Sequence, residues 1–141
     1  MASRLLSDLH PKVAAKANAW LADCKAAGLD ILVTCTYRSS AEQDALYAQG
    51  RTKPGPRVTN ARGGQSFHNY HVALDFVPIV NGKPEWRTSG SCWALWKTAG
   101  ELAEKHGFEW AARWKTFKET AHIQFTGGHD LAFFQRGGTL A

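Results

Sequence analysis

Two histidines and two carboxylates in this sequence have the types and spacing of a hydrolytic metal site. His68 precedes Asp75 by seven residues, and Glu119 precedes His122 by three. A catalytic zinc site takes three protein ligands from His, Asp and Glu and leaves a further position for water. His68, Asp75 and His122 meet this requirement and are candidate ligands, whereas the simpler interpretation of each histidine is a surface or hydrogen-bonded side chain. Glu119 is predicted to move protons beside the metal, as hydrolysis of an amide requires.

The strands that would position these residues follow from alternation of side chains. Residues 30–38, 70–80, 108–110 and 121–126 are predicted as strands, and residues of one parity share a strand face. The polar parity, predicted to form the floor of a cleft, comprises Thr34, Thr36, Arg38, Ala73, Asp75, His122 and Gln124. The opposite parity, predicted to be core, comprises Val33, Cys35, Leu74, Phe76, Ile123 and Phe125. Glu119 and His122 would face opposite ways on one strand, so Glu119 is expected in the loop before it.

Helices are predicted between these strands. One spans residues 10–27, with Pro11 in its first turn and Gly28 as its stop, and a second spans residues 41–49 after a Ser39 or Ser40 cap. A third spans residues 91–106, and a final turn follows residue 129. The basic, Gly- and Pro-containing stretch 51–65 is predicted to be a surface loop. These elements predict one α+β domain over residues 1–141, with a small, mainly antiparallel sheet and flanking helices.

Composition is that of an ordinary globular protein, with 44% hydrophobic and 21% charged residues. No apolar run approaches the roughly 20 residues of a membrane span, and the first ten residues lack an apolar signal segment, so a cytoplasmic location is expected. A net charge of +5 favours nucleic acid, an anionic membrane or an acidic cell wall without choosing among them. Three cysteines at unrelated spacings, Cys24, Cys35 and Cys92, predict buried thiols rather than a disulfide framework or a cysteine zinc site.

The remaining histidines and the tryptophans of the third helix have simpler interpretations. His10, His106 and His129 are predicted to be surface or hydrogen-bonded side chains, and Trp93 and Trp96 to be core residues.

The motifs around the candidate ligands resemble those of a known family. Residues 66–75, Ser-Phe-His-Asn-Tyr-His-Val-Ala-Leu-Asp, are similar to the Ser-x-His-x-x-Gly-x-Ala-x-Asp signature of zinc D,D-carboxypeptidases and L-alanyl-D-glutamate endopeptidases. That family includes VanY-like enzymes and phage endolysins. Residues 119–122, Glu-Thr-Ala-His, resemble its second signature. Further matches are Tyr37-Arg38-Ser39, Gln43, Gly50, residues 52–55 and Trp114-Lys115, so the resemblance spans roughly residues 30–128.

The resemblance implies a Hedgehog/D,D-peptidase-like fold and one zinc ion on His68, Asp75 and His122, with Glu119 as general base and then acid. It also implies that Arg38 stabilises the developing oxyanion or holds substrate. Ser66, Gln124 and Gln43 would orient the ligands or contact substrate.

Two departures from the family pattern affect the predicted cleft. His71 replaces the signature glycine and is predicted to contact substrate or ligands without binding the metal. Residues 111–113, Ala-Ala-Arg, alter the expected rim.

The predicted activity is that of a phage endolysin that cleaves the L-alanyl-D-glutamate bond of peptidoglycan. Such an enzyme would be a monomer without membrane insertion, and it would wait in the host bacterial cytoplasm for a holin-type opening of the membrane. The alternative within the family is a D-alanyl-D-alanine carboxypeptidase. A non-catalytic wall-binding module is disfavoured by Glu119, which a binder does not need. A nucleic-acid domain is disfavoured because no recognition helix or aromatic platform is visible.

Overall fold

The computed structural model describes residues 2–116 and 118–141. Within these residues the α-helices are Pro11–Ala26 (α1), Ser40–Ala48 (α2), Trp93–Lys105 (α3) and Leu131–Gln135 (α4). The strands are Asp30–Cys35 (β1), Ala73–Val80 (β2), Lys83–Pro84 (β3), Glu109–Trp110 (β4) and His122–Gln124 (β5). Short 3-10 segments include Phe67–Tyr70 before β2 and Ala111–Arg113 after β4. The predicted α+β class is confirmed.

The strands form one antiparallel sheet in the order β1-β2-β5-β4, and β3 pairs with β2 through a tight hairpin. The turn of that hairpin is Asn81–Gly82, where both residues have positive φ, 52° and 76°. Asn and Gly tolerate this left-handed backbone, which hairpin turns of two residues require. The central pair, β2 and β5, carries the second and third candidate ligands.

The core lies between the sheet and helices α1 and α3. Trp20 of α1 is fully buried, lies edge-on to Phe76 of β2, and donates its indole N–H to the Ala99 carbonyl at 2.9 Å. Trp96 is buried as predicted, whereas Trp93 is 39% exposed and stacks on Trp110. The prediction of Trp93 as a core residue is therefore wrong, because its ring covers the core from the solvent side.

The predicted helix boundaries hold within a residue or two. The imidazole of His10 accepts from the Lys12 amide at the start of α1, and Gly28 follows its end with φ +81°. Ser39 caps α2 and forms a capping box with Glu42. Residues 51–65 contain no helix and no named strand, as expected of a surface loop.

The predicted faces of β1 are wrong beyond Val33 because the strand contains a bulge. Val33 pairs with Phe76, but the next paired residue, Cys35, lies opposite Asp75, so Thr34 is an extra residue. Opposed residues project to the same face, and Cys35 therefore faces the candidate site instead of the core. The side chain of Thr36 is buried and donates to the Leu5 carbonyl at 2.9 Å, so it does not form the cleft floor.

Candidate active site

His68, Asp75 and His122 meet on one face of the sheet. Asp75 and His122 are directly opposed on β2 and β5, and His68 lies in the 3-10 segment before β2. Nε2 of His68 and Nδ1 of His122 each lie 3.1 Å from the same oxygen, Oδ1 of Asp75. Both imidazoles are almost fully buried, at 4% and 6% exposure, whereas the Asp75 side chain is 26% exposed. Three donor atoms thus converge at the edge of a cleft.

The orientation of His68 is fixed by backbone groups. Its Nδ1 lies 2.8 Å from the Thr36 carbonyl, which can only accept, so Nδ1 carries the hydrogen and Nε2 faces Asp75. Ser66 begins the 3-10 segment and its hydroxyl accepts from the His68 amide at 3.2 Å. Ser66 therefore positions the backbone of a candidate ligand, in agreement with an orienting role.

Charge pairing dominates the electrostatics of the buried pair. Burial acts to lower the pKa of His68, but the charge of Asp75 and the hydrogen bond to it outweigh burial and hold that pKa above its usual range. Burial acts to raise the pKa of Asp75, and the charge of His68 with hydrogen bonds from both imidazoles lowers it below the usual value. Asp75 is thus kept ionised, which is the form that binds a cation.

His122 is oriented by Gln124 on the same strand. Nε2 of His122 lies 2.9 Å from Oε1 of Gln124, and Nε2 of Gln124 donates to Oε2 of Glu109 at 2.9 Å. Gln124 is 4% exposed. The amide therefore spans from a candidate ligand to a carboxylate on β4.

Arg38 lies beyond the end of β1 and lines the cleft. Its two terminal nitrogens donate to Oε1 of Gln43 at 2.8 Å and to Sγ of Cys35 at 3.3 Å. Gln43, fully buried on α2, is in turn held by the Ala61 carbonyl. Because a guanidinium has five N–H donors, these two contacts orient Arg38 and leave donors for a bound molecule.

Glu119 lies outside the sheet, as predicted, in the segment that leads into β5. Its side chain is 62% exposed, and one of its oxygens lies 3.9 Å from Nδ1 of His122. The ring of Trp114 lies 5.7 Å from that of His122. Both line a cleft of about 930 Å³ that also includes His68, Asp75 and Arg38. A solvent-accessible acid thus lies beside the converging donor atoms.

These donor atoms fit a zinc ion. Ligand atoms about 2.1 Å from a tetrahedral zinc lie about 3.4 Å from one another, close to the 3.1 Å that separates each imidazole nitrogen from Asp75. A second donor set is also present, because Sγ of Cys35 lies within 4.8 Å of donor atoms of His68 and Asp75. Sγ, however, is 3.7 Å from Nδ1 of His68, the nitrogen already bonded to Thr36, and it accepts a hydrogen bond from Arg38.

The structure does not bring His71 to this site. Its Nδ1 bonds the Asp8 carbonyl at 2.6 Å and its ring stacks on Tyr37, with centroids 4.0 Å apart. Strand parity does not apply to it, because β2 begins only at Ala73 and His71 has a left-handed φ of 64°. His71 therefore contacts Asp8 and Tyr37 and does not line the cleft.

The other histidines have the structural roles predicted for them. His10 caps α1, His106 bonds Asp23 at 2.7 Å, and the ring of His129 stacks on Phe133.

Two residues at the site were missed from sequence. Cys35 was assigned to the core because alternation cannot reveal a bulge, although it stands two residues before the Tyr37-Arg38-Ser39 motif. Glu109 was not considered because only its pairing opposite Gln124 connects it to His122. The thiols of Cys24 and Cys35 are free and buried, as predicted, and that of Cys92 is free and partly buried.

Comparisons of the sequence with known proteins give a matching family model and a similar curated protein. The family model of VanY, described as D-alanyl-D-alanine carboxypeptidase, matches residues 6–127. The peptidoglycan L-alanyl-D-glutamate endopeptidase CwlK of Bacillus subtilis (strain 168) is 42% identical over 125 residues, or 84% of this chain and 74% of CwlK.

Solved structures share the fold at lower identity. The LdcB LD-carboxypeptidase aligns with a TM-score of 0.70 and 21% identity over 92% of this chain, which spans 64% of the LdcB chain. The Serratia marcescens L-Ala D-Glu endopeptidase ChiX aligns with a TM-score of 0.63 and 21% identity over 89% of both chains. The vancomycin resistance D,D-pentapeptidase VanY, in complex with Zn(II), gives a TM-score of 0.63 at 14% identity over 91% of this chain and 78% of that chain. The family match and the CwlK relationship establish that this chain belongs to the VanY family of peptidases.

Proposed function

We propose that this protein is a zinc peptidase that hydrolyses the stem peptide of peptidoglycan at the L-alanyl-D-glutamate bond. The observation that carries the proposal is the convergence of His68 Nε2 and His122 Nδ1 on one oxygen of Asp75, with Glu119 beside them. The scissile bond is suggested by CwlK, whose name assigns it that bond and which is 42% identical to this chain.

His68, Asp75 and His122 would hold the zinc ion. The alternative set with Cys35 is disfavoured, because its sulfur lies beside the hydrogen-bearing nitrogen of His68 and accepts from Arg38. A zinc ion held by His68, Asp75 and His122 would lower the pKa of its bound water toward about 7 and polarise the carbonyl of the scissile bond.

The proton transfers belong to Glu119. Its exposed carboxylate can take a proton from the attacking water and then deliver it to the leaving amine nitrogen. Arg38, oriented by Gln43, donates N–H groups toward the negative charge that develops on the carbonyl oxygen. Trp114 and Lys118 line the cleft beside these groups.

The charge of the cleft suits an acidic peptide. Arg57 and Lys118 line it together with Arg38, against the two carboxylates Asp75 and Glu119. A stem peptide keeps free carboxylates on D-glutamate and at its C-terminus, and cationic side chains at the rim would attract these groups.

The test is mass spectrometry of muropeptides after digestion, combined with Glu119→Gln. The wild type should release products that begin with D-glutamate, and Glu119→Gln should lower the rate by about 10² to 10⁴-fold with zinc content unchanged. Glu101→Gln is the control: it removes the same charge from a side chain that does not line the cleft, and it should digest peptidoglycan at the rate of the wild type. Equal digestion by Glu119→Gln would overturn the assignment of proton transfer.

The second candidate activity is D-alanyl-D-alanine carboxypeptidase, which the description of the matching family model favours. The same spectra separate the two, because release of terminal D-alanine from an uncut stem would establish the carboxypeptidase.

We further propose that the protein is a monomeric, single-domain phage endolysin held in the host bacterial cytoplasm until a holin opens the membrane. This proposal is supported by the resemblance of its motifs to those of phage endolysins. Among the described residues, no helix combines the length and apolar character needed to cross a membrane. Expression in a bacterial host should leave the culture intact, and co-expression of a holin should lyse it. Lysis without the holin, at the same protein level, would contradict the proposed confinement.

A further inference from the structure

A chain of two hydrogen bonds runs from His122 through Gln124 to Glu109 on β4. Nε2 of His122 bonds Oε1 of Gln124 at 2.9 Å, and Nε2 of Gln124 bonds Oε2 of Glu109 at 2.9 Å. The hydroxyl of Thr126 donates to the same oxygen of Glu109 at 3.3 Å. Glu109 and Gln124 are directly opposed on β4 and β5, so the register of the sheet places their side chains on one face.

The direction of each hydrogen bond in this chain follows from Glu109. An ionised carboxylate can only accept, so the amide of Gln124 must turn its NH₂ toward Glu109 and its oxygen toward His122. That oxygen in turn can only accept, so Nε2 of His122 must carry a hydrogen. In a zinc-bound imidazole, which is neutral, the lone pair would then lie on Nδ1, and the metal would replace the hydrogen that Nδ1 otherwise donates to Asp75. With the Gln124 amide flipped, its oxygen would face the carboxylate of Glu109, and the buried side chain would lose the bond to Glu109.

We propose that Glu109 is a positioning residue that acts through Gln124 to select the metal-binding tautomer of His122. The inference rests on the proposed zinc site, in which His122 is a ligand through Nδ1. Glu109 does not touch substrate or metal, and its effect is transmitted by the orientation of one amide. The orientation of Gln124 depends on the carboxylate of Glu109. An amide at residue 109 can both accept and donate, so it would allow either orientation of the Gln124 amide.

The experiment measures zinc affinity by competition with a chromogenic chelator in four proteins: the wild type, Glu109→Gln, Glu101→Gln and the exchange Glu109→Gln with Gln124→Glu. Loss of partners that orient a metal-bound histidine lowers metal affinity by about 10 to 100-fold, and we expect a loss of this size for Glu109→Gln. Glu101→Gln, with the same change in charge, should bind zinc as the wild type does. The exchange places a carboxylate next to Nε2 of His122 and an amide on β4. The carboxylate again requires a hydrogen on Nε2, so the exchange should restore the zinc affinity.

A second readout reports the tautomer directly. In the zinc-loaded wild type, the N–H of His122 Nε2 should give a slowly exchanging one-bond ¹H–¹⁵N signal. That signal should broaden in Glu109→Gln and return in the exchange variant. A merely structural role of Glu109 would change the unfolding midpoint without changing this signal.

The outcomes separate the two levels of inference. If the wild type binds zinc and Glu109→Gln, with an unchanged circular dichroism spectrum, binds it equally well, the role of Glu109 is overturned while the zinc site stands. If the folded wild type binds no zinc, the proposed metal site fails and this inference fails with it. Loss of affinity in Glu101→Gln as well would show a general charge effect and would also overturn the role of Glu109.

Discussion

His71 shows, at the scale of one residue, that a signature position can encode backbone conformation instead of chemistry. The family pattern has glycine there, and the structure places the residue at φ 64°, which glycine adopts without steric cost. Histidine is accommodated by its stack on Tyr37 and its bond to the Asp8 carbonyl. The side chain of His71 therefore supports the N-terminal segment and lies outside the cleft lining.

Substitutions at residue 71 should separate these effects. His71→Ala and His71→Gly both lose the ring contacts, but only alanine carries the cost of a left-handed backbone. We expect His71→Gly to be more stable than His71→Ala by about 1 kcal/mol in urea unfolding. Peptidase activity per folded molecule should equal that of the wild type in both. A selective loss of activity in His71→Gly would contradict the placement of His71 outside the site.

The thiols should differ in reactivity. Burial, together with the charge of Asp23, raises the pKa of the Cys24 thiol to about 12. A raised pKa keeps the thiol protonated below that pH, and only the thiolate is nucleophilic. Iodoacetamide at about pH 8 should therefore leave Cys24 of the folded protein unmodified while the partly exposed Cys92 reacts, as peptide mass mapping would show. Modification of Cys24 at the rate found in urea would contradict its burial.

At the scale of elements, the face on which each side chain lies could be predicted for β2 and β5, but not for β1 beyond Val33. Alternation places Leu74 and Ile123 in the core and Asp75 and His122 on the other face, because both strands are regular where they pair. In β1 the extra residue Thr34 reverses the parity of Cys35, the last residue of the strand. A bulge depends on the partner strand, so no periodicity within residues 30–38 reveals it. Glu109 could not be predicted for the same reason, because its contact with Gln124 depends on the pairing of β4 with β5.

The start of α2 offers a prediction at this scale. Ser39 follows Arg38 directly and caps the helix, with its hydroxyl accepting from the Glu42 amide at 3.1 Å. Ser39→Ala should destabilise the protein by about 1 kcal/mol, the usual cost of a lost N-cap. It should also raise KM if Arg38 binds substrate, because α2 carries Gln43, the partner of Arg38.

Ser40→Ala is the matched control for the loss of this cap. Ser40 is an exposed first-turn residue of α2 and is not the cap, so its replacement should change stability by less than about 0.5 kcal/mol. Equal destabilisation by the two variants would show that the capping box contributes nothing.

At the scale of the whole molecule, one face of the small sheet packs against helices and the other face lines the cleft. Helices α1 and α3 cover one face with Trp20, Trp96 and their neighbours, and the opposite face carries the candidate ligands. The fold class and the convergence of the candidate ligands were predictable from sequence, because these residues belong to short motifs and the core to regular helices. The cleft itself was not, since loop 51–65 and the segment before β5 contribute walls whose positions depend on tertiary contacts.

Removal of metal should affect the whole molecule. A ligand that binds only the folded state at a hundredfold excess over its Kd stabilises that state by about 2.7 kcal/mol. Thorough chelation should therefore abolish digestion of sacculi and lower the thermal midpoint, and added zinc should restore both. Undiminished digestion by the chelated, folded protein would refute the proposed metal dependence.

The direct opposition of Asp75 and His122 also bears on how the chain reaches its native state. A slip of β5 by one residue against β2 would turn the imidazole inward and the side chain of Ile123 outward. A cation that binds both Asp75 and His122 would therefore bind only to chains in which β5 pairs with β2 in the native register. Zinc taken up during folding would thus favour the native strand alignment, and misaligned molecules would be the fraction that contains no zinc after refolding with the ion.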